Sequence, residues 1–133
     1  MSKIGMTEWY LPYAGPGAIR LCRELGLDGM EIGDLGGHLR NYPLLNADIR
    51  EAYREAVGDS GFQLYAYHAI SLSRELGFKY SLGSSRGREG LEVFRISASI
   101  CERYGIPVVM LACFQKGRPE NRYEVKKVIE NLK

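Results

Sequence analysis

The chain has 133 residues, 45% hydrophobic and 26% charged, which is typical of one soluble globular domain able to bury a core. Eighteen Lys and Arg residues against sixteen Asp and Glu give a formal net charge of +2, so the composition does not favour nucleic acid as a partner. The three cysteines contain no C-x-x-C pair, which argues against a zinc knuckle or disulfide framework. With no signal peptide or membrane span in the sequence, we expect a cytoplasmic protein.

The predicted elements begin with a strand at residues 3–11 and a helix after the loop at residues 12–17. One apolar stripe marks that helix, formed by Ala18, Leu21, Cys22 and Leu25. A second strand follows, and then a glycine-rich connection at residues 33–45 that we interpret as a substrate loop. Asn46 is positioned to cap the next helix, which should end near Val57.

Three helix-to-strand joints are marked by glycine, at Gly26, Gly61 and Gly105. Glycine suits the position just after a helix because the backbone there usually adopts a left-handed conformation. The apolar runs that follow predict strands around residues 30–32, 64–68 and 108–112. Strands joined by helices are parallel, so the fold class is α/β with about four βα units. The carboxyl ends of the strands then lie along one edge, where we expect functional residues.

The carboxyl-terminal half of the chain contains two further predicted helices. After a loop at residues 70–90, with a helical turn near residues 71–77, one helix runs from Arg88 or Glu89 to Tyr104. The last helix covers residues 122–133, and its apolar stripe should pack on a sheet. That stripe consists of Val125, Val128, Ile129 and Leu132.

The strand-bearing segments resemble successive segments of the xylose isomerase-like TIM barrels. These are residues 3–7 (KIGMT), 25–32 (LGLDGMEI), 63–69 (QLYAYHA) and 102–109 (ERYGIPVV), while residues 128–133 are similar to the helix before the family's fifth strand. The superfamily includes sugar phosphate isomerases and epimerases and endonuclease IV-type apurinic endonucleases. The resemblance implies that residues 1–133 form a single domain, the amino-terminal half of such a barrel.

The resemblance also implies a function for complete relatives: metal-assisted proton transfer on a ketose or aldose. Their divalent metal (Mn, Mg, Co or Zn) is held by carboxylates and a histidine after strands five to eight. A chain of about four units lacks those strands, so we expect no catalytic residue, metal ligand or cofactor in it and no activity alone. The expected ligand is a sugar or sugar phosphate.

Five residues at predicted strand ends are candidates for substrate contact, although each could instead serve packing. His68 could hydrogen-bond a hydroxyl group, and Glu31 is a carboxylate in an apolar strand that requires a partner or an open barrel mouth. Trp9 and Tyr10 could form an aromatic platform for a sugar face. Cys113 stands where endonuclease-like relatives would show a histidine, which disfavours that branch.

A parallel sheet of four units has two open edges, which predicts a covering partner. This could be a missing carboxyl-terminal half or a second copy in a homodimer. Three alternative functions remain at this stage: a non-catalytic assembly module that dimerises through its edges, a flavodoxin-like ligand-binding domain, and an endonuclease IV-like fragment. A flavodoxin-like sheet would place the first strand in its interior.

Overall fold

A computed structural model describes residues 3–33, 44, 46–59, 61–70, 72, 79–111 and 118–133. Its strands are β1 (Gly5–Thr7), β2 (Gly29–Gly33), β3 (Gln63–His68) and β4 (Val109–Met110). Its helices are α1 (Pro16–Glu24), α2 (Ala47–Val57), α3 (Ser85–Tyr104) and α4 (Arg122–Asn131). A short 3₁₀ turn at Glu8–Tyr10 follows β1. Among the described residues, no helix is long and apolar enough to cross a membrane.

The strands form one open parallel sheet in the order β1-β2-β3-β4. This confirms the predicted α/β class with about four βα units. In register, Thr7 pairs with Glu31 and Gly33 pairs with His68, so the carboxyl ends of the first three strands lie together. Because β1 is at an edge, the flavodoxin-like alternative is wrong: a doubly wound sheet would enclose it.

The helix-to-strand joints agree with the prediction. Gly26, Gly61 and Gly105 all have positive φ values, as their place at these joints requires. The Asn46 cap is also confirmed, because its Oδ1 accepts hydrogen bonds from the backbone amides of Asp48 and Ile49. These features follow from the local sequence, which is why the pattern predicted them.

Three predicted boundaries were wrong. The first strand ends at Thr7 rather than Leu11, because the amide of Leu11 donates to the Glu8 carbonyl and closes a 3₁₀ turn. Helix α3 begins at Ser85, before the expected start, because the Ser84 hydroxyl caps it by accepting from the Gly87 amide. Strand β4 covers only Val109–Met110.

The core lies on one face of the sheet, between β2 and β3 and the first three helices. From β2, Met30 and Ile32 are fully buried, while Glu31 between them points to the opposite face because strand side chains alternate. Helix α1 buries Ala18, Ile19 and Cys22. The predicted stripe was wrong at Leu25, which lies beyond the helix and is exposed.

Helix α4 buries none of its residues. Three members of its predicted stripe, Val125, Ile129 and Leu132, are 43–52% exposed, and only Val128 packs in part against the core. The described sheet therefore does not cover this stripe. The predicted substrate loop, apart from Gly33 and Leu44, and the predicted turn at residues 71–77, apart from Leu72, lie outside the described residues.

Candidate functional site

A group of polar and aromatic side chains gathers at the carboxyl ends of β1, β2 and β3. The Thr7 hydroxyl donates a hydrogen bond to Oε1 of Glu31 at 3.1 Å. Nδ1 of His68 lies 3.5 Å from the same oxygen. The Glu31 carboxylate thus lies between groups from both neighbouring strands. We call Thr7, Trp9, Glu31 and His68 the strand-end cluster.

Burial makes these contacts energetically important. The side chain of His68 is 9% exposed and that of Glu31 is 19% exposed. A carboxylate with so little contact with water must be compensated by hydrogen bonds or opposite charge. Thr7 provides the hydrogen bond, and His68 would provide the charge when protonated. Of the two outcomes expected for Glu31, a partner or an open barrel mouth, the structure shows a partner.

The two aromatic candidates differ in position. The ring of Trp9 lies 5.6 Å from that of His68, centroid to centroid, with an angle of 38° between the planes. Trp9 is 42% exposed, so part of its surface is open to a ligand. Tyr10 is 84% exposed, and no ring contact or hydrogen bond among the described residues joins it to the cluster. The structure brings Trp9 to His68, whereas Tyr10 points into solvent.

Glu8, the most buried carboxylate near the cluster, is not among the residues that the sequence indicated. Glu8 is only 4% exposed, and its two oxygens accept hydrogen bonds from different backbone amides. Oε1 accepts from Gly33 at 2.7 Å, and Oε2 accepts from Gly15 at 3.1 Å. A signal was available, since Glu8 is an acidic residue within the predicted first strand. Thr7 was also missed, because nothing local indicates its bond to Glu31.

The cysteines contribute no reactive group to the cluster within the described part of the chain. Cys22 and Cys101 are buried, and burial raises the pKa of both thiols, that of Cys101 to about 11. A buried, protonated thiol is a weak nucleophile and packs as a small apolar side chain. Cys113 lies outside the described residues, so its proposed contact stays a prediction.

The described residues do not fit a metal site. No three of their His, Cys, Asp or Glu side chains are grouped so that they could hold an ion. Glu31 and His68 supply one oxygen and one nitrogen donor, whereas a catalytic metal usually has three protein ligands.

A cavity of about 860 Å³ lies away from the cluster, beside α2, the start of β3 and the end of α3. Its lining includes Phe62, Leu64 and Tyr104, and none of the cluster residues. Of its cations, Arg54 is paired with Glu51. Because parallel α/β folds bind ligands at the carboxyl ends of their strands, we favour the cluster over this cavity as the functional site.

No protein-family model matches the chain. Over 115 residues, it is 30% identical to the 2-epi-5-epi-valiolone 7-phosphate 2-epimerase of an Actinoplanes species. The match covers 86% of this chain and 40% of that protein, so the chain spans less than half of the relative's length. It is therefore distantly similar to part of a sugar phosphate epimerase.

Proposed function

We propose that the chain is the amino-terminal half of a xylose isomerase-like TIM barrel and that its strand-end cluster binds a sugar phosphate. The main support is the Glu31 carboxylate, held between Thr7 and His68 at the edge where such barrels place their sites. The sequential order of four parallel strands is the order required in one half of such a barrel. The similarity to an epimerase that is named for a 7-phosphate supports the ligand class.

Each cluster residue has a distinct role in this proposal. Glu31 accepts hydrogen bonds from ligand hydroxyl groups, and the His68 ring forms a hydrogen bond with a neighbouring oxygen of the same ligand. The exposed part of Trp9 packs against the apolar C–H face of the sugar ring. The residues that hold a metal and move a proton in complete relatives belong to the other half of the barrel. The chain alone therefore binds its ligand without converting it, in the cytoplasm.

The test is calorimetric titration with sedoheptulose 7-phosphate, a seven-carbon sugar phosphate, and with unphosphorylated sedoheptulose. We expect saturable binding of sedoheptulose 7-phosphate. Glu31→Gln should weaken this binding about tenfold, because a charged hydrogen-bond acceptor is lost. Glu24→Gln, on the exposed surface of α1, is the matched control and should leave the affinity unchanged. Equal affinities for Glu31→Gln and the unaltered chain would show that the cluster is not the binding site.

A second candidate function is assembly through the sheet edges. Apolar side chains are exposed beside both edge strands, with Ile4 64% and Val108 51% exposed. Helix α4, which carries the uncovered stripe, follows β4 along the chain, and in a barrel such a helix leads to a fifth strand beside β4. A second copy could supply its β1 at that position, and its β4 could then pair with β1 of the first copy. A concentration-independent monomer in light scattering would contradict this function.

A further inference from the structure

We infer that Glu8 is a positioning residue of the strand-end cluster. Its carboxylate fastens the turn that carries Trp9 to the end of β2 and to the start of α1. The inference rests on the proposed function only in taking this cluster to be the ligand site. The contacts of Glu8 themselves are independent of any ligand.

The role follows first from how the carboxylate is used. Both oxygens of Glu8 accept backbone hydrogen bonds, one from Gly33 at 2.7 Å and one from Gly15 at 3.1 Å. Hydrogen bonds from amides to an ionised carboxylate are short and strong, and the site is almost fully shielded from water. A carboxylate held in this way is suited to fixing the geometry of the backbone segments that it joins.

The two donor residues are glycines, and the geometry favours glycine at both positions. Gly15 has φ 67° and ψ −143°, a conformation that residues with a Cβ rarely adopt. A Cβ on Gly33 would lie 3.0 Å from Cδ1 of Ile70 and 3.2 Å from the His68 carbonyl oxygen. Glycine therefore permits the backbone conformation at Gly15 and avoids crowding against Ile70 and His68 at Gly33.

The hydrogen bond between Glu8 and Gly33 is linked to the cluster through the neighbours of both residues. Trp9 directly follows Glu8 in the 3₁₀ turn, which the bond from Leu11 to the Glu8 carbonyl closes. Gly33 pairs in register with His68. The bond between Glu8 and Gly33 therefore joins the backbone that carries Trp9 to the strand pair that carries His68. Loss of the bond should separate the Trp9 and His68 rings.

The experiment uses Trp9 as a reporter, because it is the only tryptophan in the sequence and yields one indole N–H signal. In Glu8→Gln the side chain keeps its shape, but one of the two acceptor oxygens is replaced by a donor. We expect the nuclear Overhauser contacts between the Trp9 and His68 rings to fall at least twofold, as the fluorescence maximum shifts to longer wavelength. Glu24→Gln is the control and should change neither signal. Far-UV circular dichroism confirms that the variants are folded.

A purely structural role would give a different result. Glu8→Gln would then lower the unfolding midpoint while the folded molecules kept the Trp9–His68 contacts, and this outcome would overturn the inference. If Glu8→Gln does not fold, Glu8→Asp is measured in the same way, since it keeps the charge but cannot reach both amides.

In the unaltered chain, scalar couplings across the hydrogen bonds should connect the amide nitrogens of Gly15 and Gly33 to the Glu8 carboxyl carbon. Their absence would also overturn the inference, whereas failure of the sugar phosphate titration would affect only the proposed function.

Discussion

Glu31 and His68, on adjacent parallel strands, lie with 3.5 Å between carboxylate Oε1 and imidazole Nδ1. The same oxygen accepts a hydrogen bond from the Thr7 hydroxyl, so residues from three neighbouring strands meet at one carboxylate. Burial of a carboxylate costs free energy unless a polar ligand or a permanent partner interacts with it.

Removal of the Thr7 hydroxyl should destabilise the protein without changing its shape. Thr7→Val has nearly the same volume but leaves Glu31 without its 3.1 Å hydrogen bond. We expect a loss of about 1–2 kcal/mol in the free energy of unfolding, measured by urea titration. Thr7→Ser retains the hydroxyl and is the control. If Thr7→Ser lost as much free energy of unfolding, the effect would come from the methyl group and not from the hydroxyl.

The side chains of Trp9 and Tyr10 should contribute differently to the affinity for the ligand. Trp9→Ala removes the ring beside His68 and should weaken sugar phosphate binding by about fivefold, equivalent to about 1 kcal/mol. Tyr10→Ala removes an exposed ring outside the cluster and should leave the affinity within a factor of two, by the same energetic scale. Calorimetry of both variants is the measurement. A larger effect at Tyr10 than at Trp9 would place the ligand elsewhere.

Gly29 should be intolerant of any side chain. A Cβ at this position would overlap the Gln63 carbonyl oxygen and lie 2.6 Å from Cε2 of Tyr65. We therefore expect Gly29→Ala to cost about 2–4 kcal/mol, because the rigid sheet backbone cannot move away. At the control position Gly83, a Cβ meets only Ser81 Oγ at 3.7 Å, so Gly83→Ala should change stability by less than about 0.5 kcal/mol. Similar unfolding midpoints for the two variants would contradict this packing.

Stability should fall in alkali, in part through Cys101. Burial raises the pKa of this thiol from 9.0 to about 11 in the folded protein. Between these values the unfolded chain loses its proton first, so stability is complete below about pH 9 and declines as the pH rises towards 11. We expect Cys101 to account for a loss on the order of 1 kcal/mol. Urea unfolding at several pH values, with reductant, should show a smaller decline in Cys101→Ala; an equal decline would exclude this thiol as a cause.

The assembly function predicts a local effect of charge on α4. Ile129→Asp places a carboxylate in the uncovered stripe and should convert a dimer to a monomer, as measured by light scattering. Leu25→Asp is the control, because Leu25 is an exposed apolar residue just after α1, away from the stripe. A dimer that tolerates Ile129→Asp but not Leu25→Asp would have its interface on another surface.

Most of the fold could be predicted because its signals are local. The glycine at Gly105 and the cap at Asn46 act on backbone groups within a few residues, so their effects are visible in a short stretch of sequence. The end of β1 was misjudged because the apolar residues Trp9 and Tyr10 continue the strand pattern. The bond from Leu11 to the Glu8 carbonyl closes the turn there, and the Glu8 carboxylate ties that turn to Gly15 and to the distant Gly33, a contact that the local pattern does not reveal.

The amino-acid sequence by itself determined the order, direction and glycine joints of the strand and helix units, since these depend on neighbouring residues. It also identified Glu31, His68 and Trp9 as residues at strand ends. Tertiary structure alone decided that these three meet, that Tyr10 stays apart, and that the buried Glu8 carboxylate accepts hydrogen bonds from Gly15 and Gly33. The physical reason is that sheet register and the path of each turn set the distances between side chains that are remote in sequence.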